Sequence, residues 1–574
     1  MKTVFKYLSP FYLSMLLGFT IKVVGTLAEL ALPYILTHIL QNVIYMQNVS
    51  KIFLWGGLMI VFAAIASVFN IIANRMAARV SRDFSQNLRR DLFAKTLRLS
   101  AAQTDRFTVA SLESRITTDT YNIHHFVGMM QRIGVRAPIM LIGSTAMAIF
   151  MDFNLAIVML VMIPVIFTIV YFISKKGIPL YIKVQKSVDR MIRVVREDAM
   201  GIRVIKALSK DKFEHDRYDS VNRALAKDEQ HAGIVMGAVN PVMTFLMNGG
   251  IAAVVAVSAT RIAAGKSSPE TVIAFMQYFT HISMAMMALT RIFSMCSKSI
   301  ASARRIEEIL LETNELEELP VLEYPESKTG AFIEFDSVTF SYAGKKADID
   351  NISFKLEKGQ SLGIIGATGS GKSTLVKLLL RFYDVNSGSI RINGEDIRTI
   401  NREKLYAMFG TAMQSDFLYA DTIFENIRFG RDISEEEIKK AAVTAQADGF
   451  ISGFSDGYNH ILAQKAANIS GGQKQRILIA RAIAGAPEIL ILDDSSSALD
   501  YKTEANLRKA LNHDMQNMTL IAVAQRVSAV KLCDHILMID EGKIIGSGTH
   551  SELMKTCERY KEIAESQMGG MLLD

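Results

Sequence analysis

Apolar residues crowd into the first 300 positions of the chain, in stretches near the ~20 residues needed to cross a bilayer core of ~30 Å. Six such spans are predicted, near residues 13–36, 53–74, 127–151, 155–173, 237–262 and 272–295. Ahead of them, residues 1–12 mix aromatics with lysines and read as a short interfacial helix. After residue 295 the pattern becomes charged and helical, as expected of a sixth span running on past the membrane. Residues 319–330, with Pro320 and Pro325, read as a linker. From residue 331 β-rich runs alternate with helical ones and glycines mark the turns, the pattern of an α/β domain. The predicted domains are therefore 1–318, a six-helix membrane domain, and 331–574, an α/β domain.

The spacing between spans is uneven. About 50 residues separate spans 2 and 3 and about 60 separate spans 4 and 5, both helix-favouring and poor in glycine and proline. The other connections are short. The prediction is paired long helices leaving the membrane on one side and returning, with their tips near residues 114–121 and 210–219. Charge says which side. The net charge is +7, and the basic residues gather in 75–115 and 175–227, while the opposite loops hold chiefly Lys51, Arg261 and Lys266. The positive-inside rule puts both basic stretches and the C-terminal domain in the cytoplasm, and it accounts for the charge without a nucleic-acid partner.

Three cysteines, Cys296, Cys533 and Cys557, stand far apart and offer neither a disulfide framework nor a zinc site. The first apolar run is too long for a cleaved signal and reads as a retained span. Lys22, Glu29, Arg132, Arg136 and His281 fall inside spans, where charge is costly and side chains turn toward other helices or water. Lys22 and Glu29, seven apart, share one face of span 1. Pairing with neighbouring helices is one reading of these residues, and lining a substrate path is the other. Methionines cluster in span 6, where packing is the plainer use for them.

The candidate chemistry lies in the second domain. Gly366-Ala367-Thr368-Gly369-Ser370-Gly371-Lys372-Ser373 follows an apolar strand and precedes a helical run through Thr374, the context a phosphate loop requires. Glycines let backbone N–H groups wrap phosphates, Lys372 reaches the β- and γ-phosphates, and Ser373 ligates Mg²⁺. Asp493 ends the apolar strand 489–492 and is a second metal-binding candidate. ATP and Mg²⁺ are the expected ligands.

Between these two motifs stands Ser470-Gly471-Gly472-Gln473. With it the chain resembles half of an exporter-type ATP-binding cassette (ABC) transporter, and the resemblance runs over essentially the whole length. It implies a membrane all-α domain of six helices with long cytoplasmic helical loops, followed by an α/β P-loop NTPase domain. It further implies that Tyr342 stacks on adenine, that Gln414 contacts the metal, and that Ser497-Ala498-Leu499-Asp500 crosses to a partner. Ser470, Gly471, Gly472 and Gln473 would cap the ATP held by a second half-transporter, so the working unit would be a dimer. The setting implied is the plasma membrane of a bacterium. The substrate implied is a small amphipathic or lipophilic molecule, or a lipid.

Two positions depart from the family pattern. Asp494 stands where a catalytic glutamate is usual, and Gln525 where a histidine is usual. The aspartate is shorter by a methylene, about 1 Å, and a misplacement of that size costs on the order of 100-fold in rate. The amide of Gln525 cannot become a cation. The expectation is a heterodimer in which this chain's own pocket holds ATP but cleaves it slowly, while its signature completes the site of a partner with consensus glutamate and histidine. In residues 463–468, just before the signature, Gln464 replaces another usual glutamate. The alternatives are a lipid flippase or peptide exporter, a metal-chelate importer, and an ATP-gated regulatory subunit.

Overall fold

A computed structural model describes residues 2–265, 268–313, 316, 319, 330–342, 344, 346–414, 416–495, 498–514 and 517–568. The chain divides into two compact units. The first contains Met1–Arg98 and Thr108–Glu312; the second contains Leu99–Phe107 and Thr313–Asp574. Most of the expected linker falls outside the described residues.

The first unit is built from helices. Among the described residues, six are long and apolar enough to cross a membrane: Val4–Met46, Val49–Leu97, Val109–Met151, Phe153–Ala207, Asp211–Ala263 and Pro269–Leu289, the last continuing to Leu310. The starts at Val49 and Phe153 are marked by side chains that accept from free N–H groups. Asn48 Oδ1 accepts from Lys51 N (3.2 Å), and Asp152 Oδ1 accepts from Asn154 N (3.0 Å) and Leu155 N (3.3 Å). Pro269 opens the last helix, where its missing N–H costs nothing. The helix Val49–Leu97 buries Ala73, Ala77, Val80, Phe84, Leu88 and Leu92, three or four residues apart, on one face. Its membrane portion exposes Phe53, Leu54 and Ile60 instead, as suits a surface solvated by lipid tails. At the head of the first of these runs, before the long helix Tyr12–His38, Lys2–Leu8 forms a short helix where one is expected.

The two cytoplasmic turns differ from expectation. The first lies at residues 98–108, not 114–121, which are helical throughout. It contains a short helix, Ala101–Phe107, opened by a capping box in which Ser100 Oγ accepts from Gln103 N (3.1 Å) and Gln103 Oε1 accepts from Ser100 N (3.0 Å). The second turn lies at residues 208–210, where Ser209 takes a left-handed φ of +49° and Lys210 N donates to Ile205 O (3.0 Å). Residues 211–219 already belong to the returning helix.

The second unit carries two sheets. Strands β1 (Ile333–Phe340), β2 (Ile349–Leu356), β4 (Ser387–Ile392) and β5 (Glu395–Asp396) form an antiparallel sheet in the order β2-β1-β4-β5. The larger sheet contains β3 (Ser361–Ile365), β6 (Phe409–Ala412), β7 (Ile489–Asp493), β8 (Thr519–Ala524), β9 (His535–Asp540) and β10 (Lys543–Gly548). Its order is β10-β9-β3-β8-β7-β6, parallel except for β10. Burial on both faces explains why β3 and β7 read as unbroken apolar runs. The short helix Ala101–Phe107 packs Ala101 and Ala102 against the core of this unit, and Tyr383 Oη donates to Asp105 Oδ2 (2.5 Å).

Candidate nucleotide site

The register of the parallel sheet gathers the candidate residues. Ile365 pairs with Ala524, Asp493 with Val523, and Ala412 with Leu492. The segments carrying Gly366, Gln414, Asp494 and Gln525 therefore leave the carboxyl ends of neighbouring strands, the edge where open α/β sheets bind ligands.

The phosphate loop turns from β3 into the helix Lys372–Leu379. Gly369 and Gly371 have φ of +82° and +105°, which only glycine adopts freely. Gly366 is needed for a different reason, since a Cβ there would lie 2.1 Å from Ile539 O. Gly542 N donates to Ser370 O (3.0 Å), so the β9–β10 turn braces the loop. Lys372 Nζ donates to Gly366 O (2.9 Å) and Ala367 O (2.7 Å). Burial pulls its pKa down, while Asp493 and Asp494 oppose that shift. A cavity of about 300 Å³ beside the loop is lined by Gly369, Gly371, Lys372, Ser373, Thr374 and residues of the facing turns.

Ser373 donates to the carboxylate of Asp493 at the end of β7. Burial raises the pKa of Asp493, and the Ser373 bond opposes it. A hydroxyl, a carboxylate and the Gln414 side chain are the hard oxygen donors that Mg²⁺ takes, so the donor set fits the ion. Asp494 has a left-handed φ of +51°, and its N–H donates to Val523 O (2.8 Å). Two amides converge on one oxygen of its carboxylate: Gln414 Nε2 donates to Oδ2 at 3.1 Å and Gln525 Nε2 at 3.5 Å. Burial raises the pKa of Asp494, against the pull of Lys372, Arg526 and the Gln414 bond. Thr368 Oγ1 donates to Gln525 Oε1 (3.4 Å). The structure thus brings Thr368, Lys372, Ser373, Gln414, Asp493, Asp494 and Gln525 together.

Tyr342 stands half-exposed, its ring edge-on to Phe340 and Tyr383, with Lys377 Nζ 5.7 Å from the ring centre and Thr374 Oγ1 3.4 Å from its hydroxyl. An aromatic face held this way can take a flat base. Ser470 caps the helix Gly471–Ile483: its Oγ accepts from Gln473 N (3.3 Å), and Gln473 Oε1 accepts from Ser470 N (2.9 Å). The end of that helix is exposed and free to meet an anion from outside the chain. It lies against the candidate crossing loop, because a Cβ on Gly472 would be 3.0 Å from Ala498 O. Asp500 closes the loop by accepting from Thr503 N (2.9 Å) and Thr503 Oγ1 (2.7 Å), and these bonds lower its pKa. Ser497 lies outside the described residues.

Sequence reasoning missed Gln567. Its side chain donates to Gln525 O (2.8 Å) and accepts from Val527 N (2.8 Å), so the helix Glu558–Met568 holds the segment in place. Nothing in the local pattern signals a contact 42 residues away. The Ser100-x-x-Gln103 box, by contrast, was readable and passed over.

Six apolar helices joined to a parallel-sheet unit with a phosphate loop define a membrane protein powered by nucleotide. Residues 15–286 match the family of the ABC transporter transmembrane region, and residues 349–497 match the ABC transporter family. The chain is 32% identical over 552 residues to an uncharacterized ABC transporter ATP-binding protein of Mycobacterium tuberculosis, covering 95% of this chain and 94% of that one. It is 32% identical over 572 residues to the uncharacterized ABC transporter ATP-binding protein YfiB of Bacillus subtilis, covering 99% of both. A solved structure described as a bacterial Atm1-family ABC exporter with ATP bound shares the fold, with a TM-score of 0.79 at 24% identity over 98% of each chain. The chain belongs to the ABC transporter family, as an integral membrane protein that fuses one transmembrane region to one nucleotide-binding domain.

Proposed function

We propose that this chain is one half of a heterodimeric exporter that moves small amphipathic or lipophilic compounds at the expense of ATP. Its own pocket binds ATP with Mg²⁺ and hydrolyses it slowly, and its signature helix completes the partner's site. In this reading the N–H groups of Gly366–Gly371 and the ammonium of Lys372 hold the phosphates, and Tyr342 takes the adenine. Ser373, Gln414 and Asp493 hold Mg²⁺, which would neutralise charge on the phosphate oxygens. Asp494 is the group left to orient the attacking water.

The observation that carries the reading is the double amide contact on Asp494 Oδ2. A carboxylate shortened by a methylene, with one oxygen held by two amides, is badly placed to reach the attacking water, although burial raises its basicity. The amide of Gln525 also offers no positive charge to the γ-phosphate. By contrast, the Ser470–Gln473 capping box leaves a well-formed helix N-terminus at the surface.

The purified chain alone is expected to bind ATP with low turnover. Asp494→Glu combined with Gln525→His is expected to raise that turnover by at least tenfold, read as phosphate release in proteoliposomes. Fast hydrolysis by the unaltered chain without a second gene product refutes the reading.

A further inference from the structure

Five titratable residues inside the spans lie within electrostatic reach of one another, and cations outnumber carboxylates among them. Lys22 and Glu29 come from the helix Tyr12–His38, Arg132 and Arg136 from the third span, and His281 from the last. Arg136 Nη2 donates to Glu29 Oε1 at 2.6 Å. That pair uses the one carboxylate in the group. Lys22 is 3% exposed, and its ammonium meets a neutral amide, Asn74 Oδ1, at 3.0 Å. Arg132 Nε donates to a backbone carbonyl, Gly128 O, at 3.0 Å. Both arginines lie within electrostatic range of Lys22. Among the described residues, neither Lys22 nor Arg132 has a carboxylate at ion-pair distance.

Cations inside a membrane are costly and persist where they meet an anion or water. Arg136 is 45% exposed, so the cluster opens to the surface of the unit. His281 stands beside it with Nδ1 buried and unpartnered among the described residues. Buried polar atoms without partners are rare enough to call for one. Arg136 and His281 line a cavity of about 90 Å³ whose other walls are apolar, including Ile133, Met140, Met284 and Ala288. Methionines adapt to varied apolar shapes.

We propose that Lys22, Arg132 and Arg136, with His281 beside them, form an intramembrane site for the oxyanion of an amphipathic molecule, a carboxylate, sulfate or phosphate on an apolar body. This gives the proposed transporter half a substrate class and rests on that reading. The guanidinium forks match a planar or tetrahedral oxyanion, the lysine adds a point charge, and the apolar wall takes the tail.

The test uses the full-length chain in phosphatidylcholine nanodiscs without nucleotide, its melting temperature followed against laurate, dodecanol and dodecyltrimethylammonium. Laurate is expected to stabilise the chain at concentrations at least tenfold below the other two. Arg132→Gln and Lys22→Gln are expected to raise the half-saturating laurate concentration about tenfold with the dodecanol response unchanged, and Lys22→Arg to keep it. Competition by added phosphatidylglycerol that the glutamine variants abolish supports the site with a lipid headgroup as occupant. Laurate binding indifferent to phosphatidylglycerol supports it with a free amphiphile. Equal responses to laurate and dodecanol, or unchanged laurate binding in the glutamine variants, overturn the proposal. No ATP is present, so such a failure leaves ATP-driven transport standing, while absent transport with intact laurate binding defeats that reading alone.

Discussion

Left-handed backbone at non-glycine positions marks the residues under local strain. Asp494 is one, and aspartate tolerates that region better than most side chains. Lys465 and Ala466, just ahead of the signature, are two more, with φ of +59° and +56° in succession. Neither side chain suits that conformation, and Lys465 is exposed, so it gains no burial in return. Lys465→Gly is therefore expected to stabilise the nucleotide-binding unit by about 0.5–1 kcal/mol, the αL penalty outweighing the added freedom of the unfolded chain. Chemical denaturation of the two proteins checks it, and a less stable glycine variant contradicts it. The glycines of the phosphate loop were legible from spacing alone because only they fit the turn. The strain at 465–466 was not legible, because backbone conformation there is imposed by tertiary packing.

Among the elements, the helix Ala101–Phe107 is the one whose position the hydrophobic period masked, although its capping box was there to be read. The periodic pattern runs on through residues 75–115, and a break of a few residues inside it leaves little trace. What sets the helix apart is its capping box and its partner, the Tyr383 hydroxyl on Asp105. Hydrogen bonds to charged groups contribute about 1.5–3 kcal/mol. Tyr383→Phe is expected to speed amide hydrogen exchange across residues 101–107 by about tenfold or more, while β3 and β7 keep their protection. Uniform protection in the variant would show that the short helix is held by Ala101 and Ala102 alone. The spans, strands and signature helix were easier to foresee, because each carries its own period or cap. The direction of the sheet and its strand order came only with the structure.

For the whole molecule, the proposed division of labour makes a directional prediction. Co-purified with a half-transporter that carries the consensus glutamate and histidine, this chain should contribute its signature more than its phosphate loop. Gly471→Arg in this chain is expected to lower the pair's ATP hydrolysis at least 100-fold by blocking the exposed helix end. Lys372→Ala is expected to lower it no more than about tenfold. Steady-state hydrolysis of the two mutant pairs decides it, and the reverse order would assign the competent site to this chain. The six spans and the nucleotide-binding motifs were legible because lipid and phosphate each impose strict local rules. The proposed pairing of unlike halves is written in no single element: the Ser470–Gln473 signature points to a partner, and the altered Asp494 and Gln525 point to an unlike one.

The helix Phe153–Ala207 is 55 residues long, roughly 80 Å at the rise of an α-helix. Pro164 and Pro179 sit inside it, and each removes a rung from its hydrogen-bond ladder. The first lies at membrane depth, and the second comes roughly 40 Å along from Phe153, just past the hydrocarbon. The helical run is unbroken, but these two positions are where bending costs least. Thickening or thinning of the surrounding bilayer will be absorbed as bending at these two hinges before it reaches residues 208–210.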